Sequence, residues 1–367
     1  MTLDSSQQVF ADYDNACIAN VVPALFGLRD DSFVPTDARG ANQTVLLVLD
    51  GLGFEQFESF RDMMPTLAAM AYTPITSVVP STTASALTSI STGVGPSEHG
   101  IVGYRMMMNG DVINTLRWTS THGDMRKKMP PTEVQPRVAF SGRKPIVITK
   151  GEFASSGFTL AHLSGVRHRG WRAVSALVTN VAVALREGER FVYAYYDGID
   201  KIAHEYGLAE HYRAELAAAD ALVAAIVRVL PTGASLVITA DHGQIDTGSD
   251  VRHIHPDVMT HVATQSGEGR LRWLHAKPGR SGALIQAVRA HHGDEAWIYS
   301  RSEARDARLF GLRMTDAVST RLGDVCLVAT GSHAFHDPAD SGPFELVARH
   351  GSMTSAEMRV PLFAMRA

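Results

Sequence analysis

The 367-residue sequence predicts an α/β protein built on a doubly wound, mainly parallel sheet with a small inserted α/β subdomain. Three observations lead there. The apolar runs TVLLVLD, SVVP, IVITKG, FVYAYY and SLVITA are short, continuous and bounded by glycine or turn residues, the pattern of strands buried on both faces. Helical segments separate them, most clearly Tyr212–Leu230, where Leu216, Leu222, Val223, Ile226 and Leu230 recur at helical spacing. Aspartates and histidines follow several of these runs directly, and ligands in such sheets collect at the carboxyl ends of the strands.

Residues 1–40 read as an arm with a helical stretch around Cys17–Phe26, closed by the polar linker PTDARGANQ. TVLLVLD then opens the sheet and ends in Asp50. The segment VVPSTTASALTSISTG is a strand-like run, two threonines and a helix-like run. FVYAYY leads to Asp197, Asp200 and His204, and SLVITA leads to Asp241 and His242. After DHGQID the chain becomes richer in arginine and histidine, with only short strand candidates such as RLRWLHA and EAWIYS. Residues 251–325 are therefore expected to form the inserted subdomain. The core resumes at GDVCLVATG and closes through HGSMTSAEMRVPLFAMRA, giving a catalytic core of 1–250 and 326–367.

Hydrophobic residues make up 45% and charged residues 20%, as in soluble globular proteins. The net charge of -4 argues against a nucleic-acid-binding face. Cys17 and Cys326 are the only cysteines and form no CxxC, so no disulfide framework is expected and a cytoplasmic location fits. The N-terminus lacks a basic and apolar leader pattern, and no apolar run reaches the roughly 18 residues of a membrane span.

The chemistry lies in the strand-end residues. Carboxylate oxygens and imidazole nitrogens are ligands for a divalent ion such as zinc, and a hydroxyl beside such an ion becomes nucleophilic. Asp50 is followed by Gly51 and Gly53, which permit close backbone approach; a helix N-cap aspartate would show the same pattern. Thr82 and Thr83 precede a helix whose free N–H groups would favour negative charge on a threonine oxygen, although a capping threonine also suits that position. Asp200 and His204 share one helical face if a turn starts there, with Asp197 as a rival. Asp241 and His242 form the sharper motif, since a strand ending in A-D-H-G gives histidine little structural purpose. His350 in RHGS competes with His333 and His336, and His253, His255 and His261 could hold an extra ion or be surface residues. Taken together, Asp50, Thr83, Asp241 and His242 suffice for one ion, and Asp200, His204 and His350 for a second.

The order of these motifs resembles the type I phosphodiesterase/nucleotide pyrophosphatase family of the alkaline phosphatase superfamily. The matching pieces are D-G-L-G at Asp50, P-S-T-T at Pro80–Thr83, S-T-G at Ser91–Gly93, E-H-G-I-V at Glu98–Val102, D-x-x-x-H at Asp200–His204, A-D-H-G at Ala240–Gly243 and H-G at His350. The resemblance implies an alkaline phosphatase-like three-layer sandwich, Thr83 as nucleophile, and the six Asp and His positions as ligands of two divalent ions, zinc first and manganese as the alternative. It implies hydrolysis of phosphate diesters or nucleotide pyrophosphate bonds in small-molecule or nucleotide substrates, through a phospho-threonine intermediate. The same core could serve a phosphomonoesterase or a phosphonate or sulfate ester hydrolase, or an inactive metal-binding member. A monoesterase would need a cation on the non-bridging oxygens, for which Arg105, Lys127, Lys128 and Lys144 are candidates. One departure stands out: the family asparagine after H-G-I-V corresponds here to Tyr104, which with Arg105 becomes the expected substrate contact.

Overall fold

The computed structural model describes residues 7–340 and 345–367. Its central sheet has seven strands in the order Ala71–Thr76, Arg359–Arg366, Ser235–Thr239, Thr44–Leu49, Phe191–Tyr196, Ile146–Ile148 and Arg167–His168. The last five are parallel, and Arg359–Arg366 runs antiparallel to both its neighbours. Consecutive residues of Thr44–Leu49, Phe191–Tyr196 and Ser235–Thr239 are buried. Side chains alternate between faces along a strand, so burial without alternation means that both faces are covered. Each fully buried leucine or valine contributes about 1.5–3 kcal/mol through area removed from water.

Register sets the height of the site. Leu49 lies level with Tyr196, and Val48 lies level with Thr239. Asp50 and Asp241, each two residues beyond that second pair, therefore leave neighbouring strands at the same edge. The arm is integral to the core: its helix Ile18–Leu25 is almost wholly buried, and a side chain at Gly93 would strike Pro23.

SVVP, expected as a strand, is not one. The strand is Ala71–Thr76, and the chain leaves the sheet at Ser77, whose amide binds the Met358 carbonyl and whose hydroxyl binds the Asp241 carbonyl. Pro80 has no amide to donate to a ladder.

A second sheet holds Val262–Gly267, Leu271–Ala276, Val325–Ala329 and Ala296–Ser300, in that order and antiparallel throughout. Helix Ser281–His292 packs on it through Leu284 and Val288, against Leu274 and Leu327. The expected return to the core at residue 326 is thus displaced, because Val325–Ala329 is an inner strand of this second sheet. VCLVA reads like a core strand because it too is buried along its whole length. Residues 105–124 form a further small antiparallel meander. Cys17 and Cys326 are free and buried. No described helix is long and apolar enough to cross a membrane.

Candidate active site

Thr83 is the first residue of helix Thr83–Thr92, with Thr82 as an N-cap whose side chain makes no capping bond. Thr82 is buried, whereas Thr83 is partly exposed at the helix mouth, where amide groups without helical partners favour an anion. The Thr83 hydroxyl oxygen lies 3.1 Å from His242 Nε2. His242 Nε2 is in turn 3.4 Å from Asp50 Oδ1 and 3.4 Å from Asp241 Oδ2. Four side chains from three segments thus converge on one point.

The second group adjoins the first. Asp200 and His204 sit on helix Gly198–Tyr206, with His204 Nε2 3.3 Å from Asp200 Oδ1. His350 Nε2 lies 3.7 Å from the same oxygen, and the His350 ring stacks on His242 at 3.6 Å. The Asp200 amide donates to the Asp50 carbonyl at 3.1 Å, tying the helix to the strand end. Gly51 permits this: its φ is +80°, and a side chain there would meet Gln244 Nε2 at 2.9 Å and Asp200 Cα at 3.0 Å.

All three histidines are oriented in the same way. Nδ1 of His204 contacts the Ala348 carbonyl at 2.7 Å, Nδ1 of His242 the Gly243 carbonyl at 3.0 Å, and Nδ1 of His350 the Ser81 carbonyl at 2.9 Å. A proton held on Nδ1 leaves the Nε2 lone pair free as a ligand. Asp50 Oδ1 and Asp241 Oδ2 are buried with no hydrogen-bond partner among the described residues. Burial, then the Asp241 and Asp200 charges, push the Asp50 carboxyl well above its ordinary range. Burial likewise raises Asp241. Burial, then the neighbouring His242 and His204, drive His350 well below its ordinary value. Ligands around a zinc ion at about 2.0–2.2 Å lie about 3.3–3.6 Å from one another, and the His242 contacts with Asp50 and Asp241 fall in that range. The donor set and its orphaned oxygens fit a divalent cation at Asp50, Asp241 and His242; the adjoining cluster within ligand distance is Asp200, His242 and His350, with His204 3.3 Å from Asp200.

A cavity of about 150 Å³ opens beside Thr83. Its walls include Leu87, Leu116, Phe153, Phe158 and Tyr195, and no lysine or arginine among the described residues lines it. The other expected residues lie elsewhere. Arg105 is paired with Asp337, which also holds Arg272 at 3.2 Å. The Tyr104 phenol is half-buried and faces Asn114. Lys127, Lys128 and Lys144 are exposed. Asp197 is held by Lys150 at 2.8 Å and Lys201 at 2.9 Å. His333 is buried against Phe335, and His253 and His336 pack together. His255 and His291 gather with Asp257 at the surface, but their rings are parallel to within 8°. Lone pairs lie in the ring planes, so parallel rings do not aim at a common point.

Two supporting residues escaped the sequence reading. The Tyr195 hydroxyl donates to Asp50 Oδ2, and Gln244 Nε2 donates to Asp200 Oδ1. Tyr195 sits in FVYAYY, where an aromatic residue reads as ordinary core. Gln244 directly follows A-D-H-G, and that adjacency was its one local signal.

The sequence profile described as type I phosphodiesterase/nucleotide pyrophosphatase matches residues 44–353. The chain belongs to this family. Its members are metal-dependent hydrolases acting on phosphoester bonds. Sequence comparison with curated proteins finds no match. Among solved structures, murine ectonucleotide pyrophosphatase/phosphodiesterase 5 aligns with a TM-score of 0.65 at 14% identity, covering 88% of this chain and 87% of that one. An inactive variant of that murine protein was solved with AMP. Phosphonoacetate hydrolase from Sinorhizobium meliloti, in complex with phosphonoformate, aligns with a TM-score of 0.62 at 19% identity, covering 91% of this chain and 93% of that one. These likenesses establish the alkaline phosphatase-like fold.

Proposed function

We propose that this chain hydrolyses phosphate diesters or nucleotide pyrophosphate bonds through a phospho-Thr83 intermediate. The supporting observation is the Thr83 hydroxyl at a helix mouth, 3.1 Å from His242 Nε2, with an apolar cavity alongside. Two divalent ions, zinc or alternatively manganese, held by Asp50, Asp241 and His242 and by Asp200, His204 and His350, would lower the hydroxyl pKa and neutralise phosphoryl charge. The helix amides at Thr83 favour its alkoxide. Thr83 Oγ1 attacks phosphorus in line, forming the new P–O bond as the ester or anhydride oxygen leaves. Water then cleaves the phospho-threonine from the opposite side and restores the hydroxyl. Positioning and charge neutralisation supply most of the acceleration in phosphoryl transfer.

The cavity distinguishes substrate classes. An apolar wall without lysine or arginine suits an aryl or other uncharged ring, and offers no ion pair to a phosphonocarboxylate or to the second charge of a monoester. The test is a substrate panel on zinc-loaded enzyme. A bis-aryl phosphate is expected to exceed an aryl monophosphate and phosphonoacetate in kcat/KM by about tenfold or more, about 1.4 kcal/mol. A preference for phosphonoacetate would overturn the assignment.

A further inference from the structure

The cavity beside Thr83 is not wholly apolar. His162, on helix Gly157–His162, and Tyr193, on strand Phe191–Tyr196, both line it, and they are only 4% and 1% exposed. His162 Nδ1 lies 2.7 Å from the Phe158 carbonyl, and the Phe158 ring stacks on the imidazole at 4.0 Å. A carbonyl only accepts, so Nδ1 carries the proton and Nε2 is left with a free lone pair. Burial lowers the His162 pKa to about 4, which keeps the ring neutral.

His162 Nε2 and the Tyr193 hydroxyl make no hydrogen bond among the described residues. Neither atom is sealed from water, and the cavity is open space that both residues border. The other hydroxyls of the wall have partners: Thr83 with His242, Tyr195 with Asp50, Ser156 with Thr159, and Thr149 with His168. A plain phenyl group filling the cavity would strip water from a buried acceptor and return nothing. A ring carrying an O–H or N–H would satisfy it.

We infer that this cavity selects a flat, uncharged ring that bears a hydrogen-bond donor: His162 Nε2 accepts from an O–H or N–H of the ring seated beside Thr83, and the Tyr193 hydroxyl supplies a second polar contact. This rests on the function proposed above in taking the cavity as a substrate site, and it narrows the ring expected there. A site built to bond a substrate O–H or N–H rejects the analogue lacking it far more strongly than an apolar pocket rejects an added group.

The experiment measures affinity by calorimetry on the zinc-loaded full chain carrying Thr83→Ala, so that the ligand is not consumed. The probes are bis-aryl phosphates with meta- or para-hydroxyl groups, each set against its methoxy counterpart. At least one hydroxyl isomer is expected to bind about tenfold or more tightly than its counterpart. Adding His162→Phe, which keeps a ring and removes the acceptor, is expected to bring that ratio to about one. Adding His162→Gln, whose amide oxygen accepts, is expected to retain part of it. Equal binding of hydroxyl and methoxy diesters by the Thr83→Ala chain, or a preference that survives His162→Phe, would overturn the inference. The first ratio needs no change at His162, so it decides the inference even where the phenylalanine variant fails to fold. Wild-type enzyme without a phospho-Thr83 adduct would strike the proposed reaction and leave these affinity ratios as they are.

Discussion

The Thr83 hydroxyl and His242 Nε2 stand 3.1 Å apart although the residues are 159 positions apart in sequence. One begins a helix, and the other lies three residues beyond the strand Ser235–Thr239. The Ser81 carbonyl accepts from His350 Nδ1, and the Ser81 hydroxyl donates to the Ser352 carbonyl at 2.6 Å. The segment leading into Thr83 is thereby joined to the segment carrying His350.

The hydrogen bond from Tyr195 to Asp50 fixes one oxygen and leaves the other open. Losing such an orienting partner typically costs about 10–100-fold in metal affinity. Tyr195→Phe is expected to weaken zinc binding by that factor while preserving the fold, as measured by chelator competition and circular dichroism. Unchanged affinity would remove Tyr195 from the site.

Burial and adjacent acids make the Asp50–Asp241 pair costly without a cation, as their raised carboxyl ranges indicate. Asp241→Asn should therefore stabilise the metal-stripped protein by about 0.5–2 kcal/mol, the ordinary size of a stabilising substitution. The same variant should lose much of the Tm rise that zinc gives the wild type. Calorimetry with and without zinc checks both halves.

Arg270 and Glu357 form a wholly buried pair at 2.7 Å that fastens the second sheet to the segment after His350. Arg270 also donates to the Gly331 and His333 carbonyls, and Glu357 accepts from the Ser352 amide. Arg270→Met leaves a buried carboxylate uncompensated and is expected to cost about 3–5 kcal/mol in urea unfolding. Replacing both members with apolar residues should cost far less.

His99, in the E-H-G-I-V match, serves the fold. Its Nε2 contacts the Ser89 hydroxyl at 2.9 Å, and its Nδ1 accepts from the Ile101 amide at 3.1 Å. Burial pushes its pKa down to about 3. Between about pH 6.5 and 3 the unfolded chain binds a proton there that the folded chain does not. Stability is therefore complete above the unfolded value and falls as pH drops, by about 1.4 kcal/mol per pH unit for this one group. His99→Gln should give a shallower acid limb in unfolding measured from pH 7 to 4. An unchanged slope would contradict this.

These residues also mark what was legible in the sequence. Asp50, Asp241 and His242 announce themselves because buried parallel strands end abruptly in polar residues, and register then brings the ends together. Asp200 and His204 announce themselves by helical spacing. Tyr195 and Gln244 carried little or no such signal, since the carboxylates they bind lie 145 and 44 residues away. Val325–Ala329 misled for the opposite reason: an inner strand of a small sheet is as apolar as one of the large sheet. Arg105 looked available until Asp337, 232 residues on, was found beside it.

In the proposed reaction Thr83 carries the phosphoryl group. Zinc-loaded enzyme mixed with a bis-aryl phosphate, quenched in acid within one turnover and digested, should yield a phosphorylated peptide with the modification on Thr83. Thr83→Ala should give no adduct and no turnover while retaining bound zinc. Normal turnover by Thr83→Ala, or a wild-type burst of aryl alcohol with no phosphate on Thr83, would rule out Thr83 as the phosphoryl carrier.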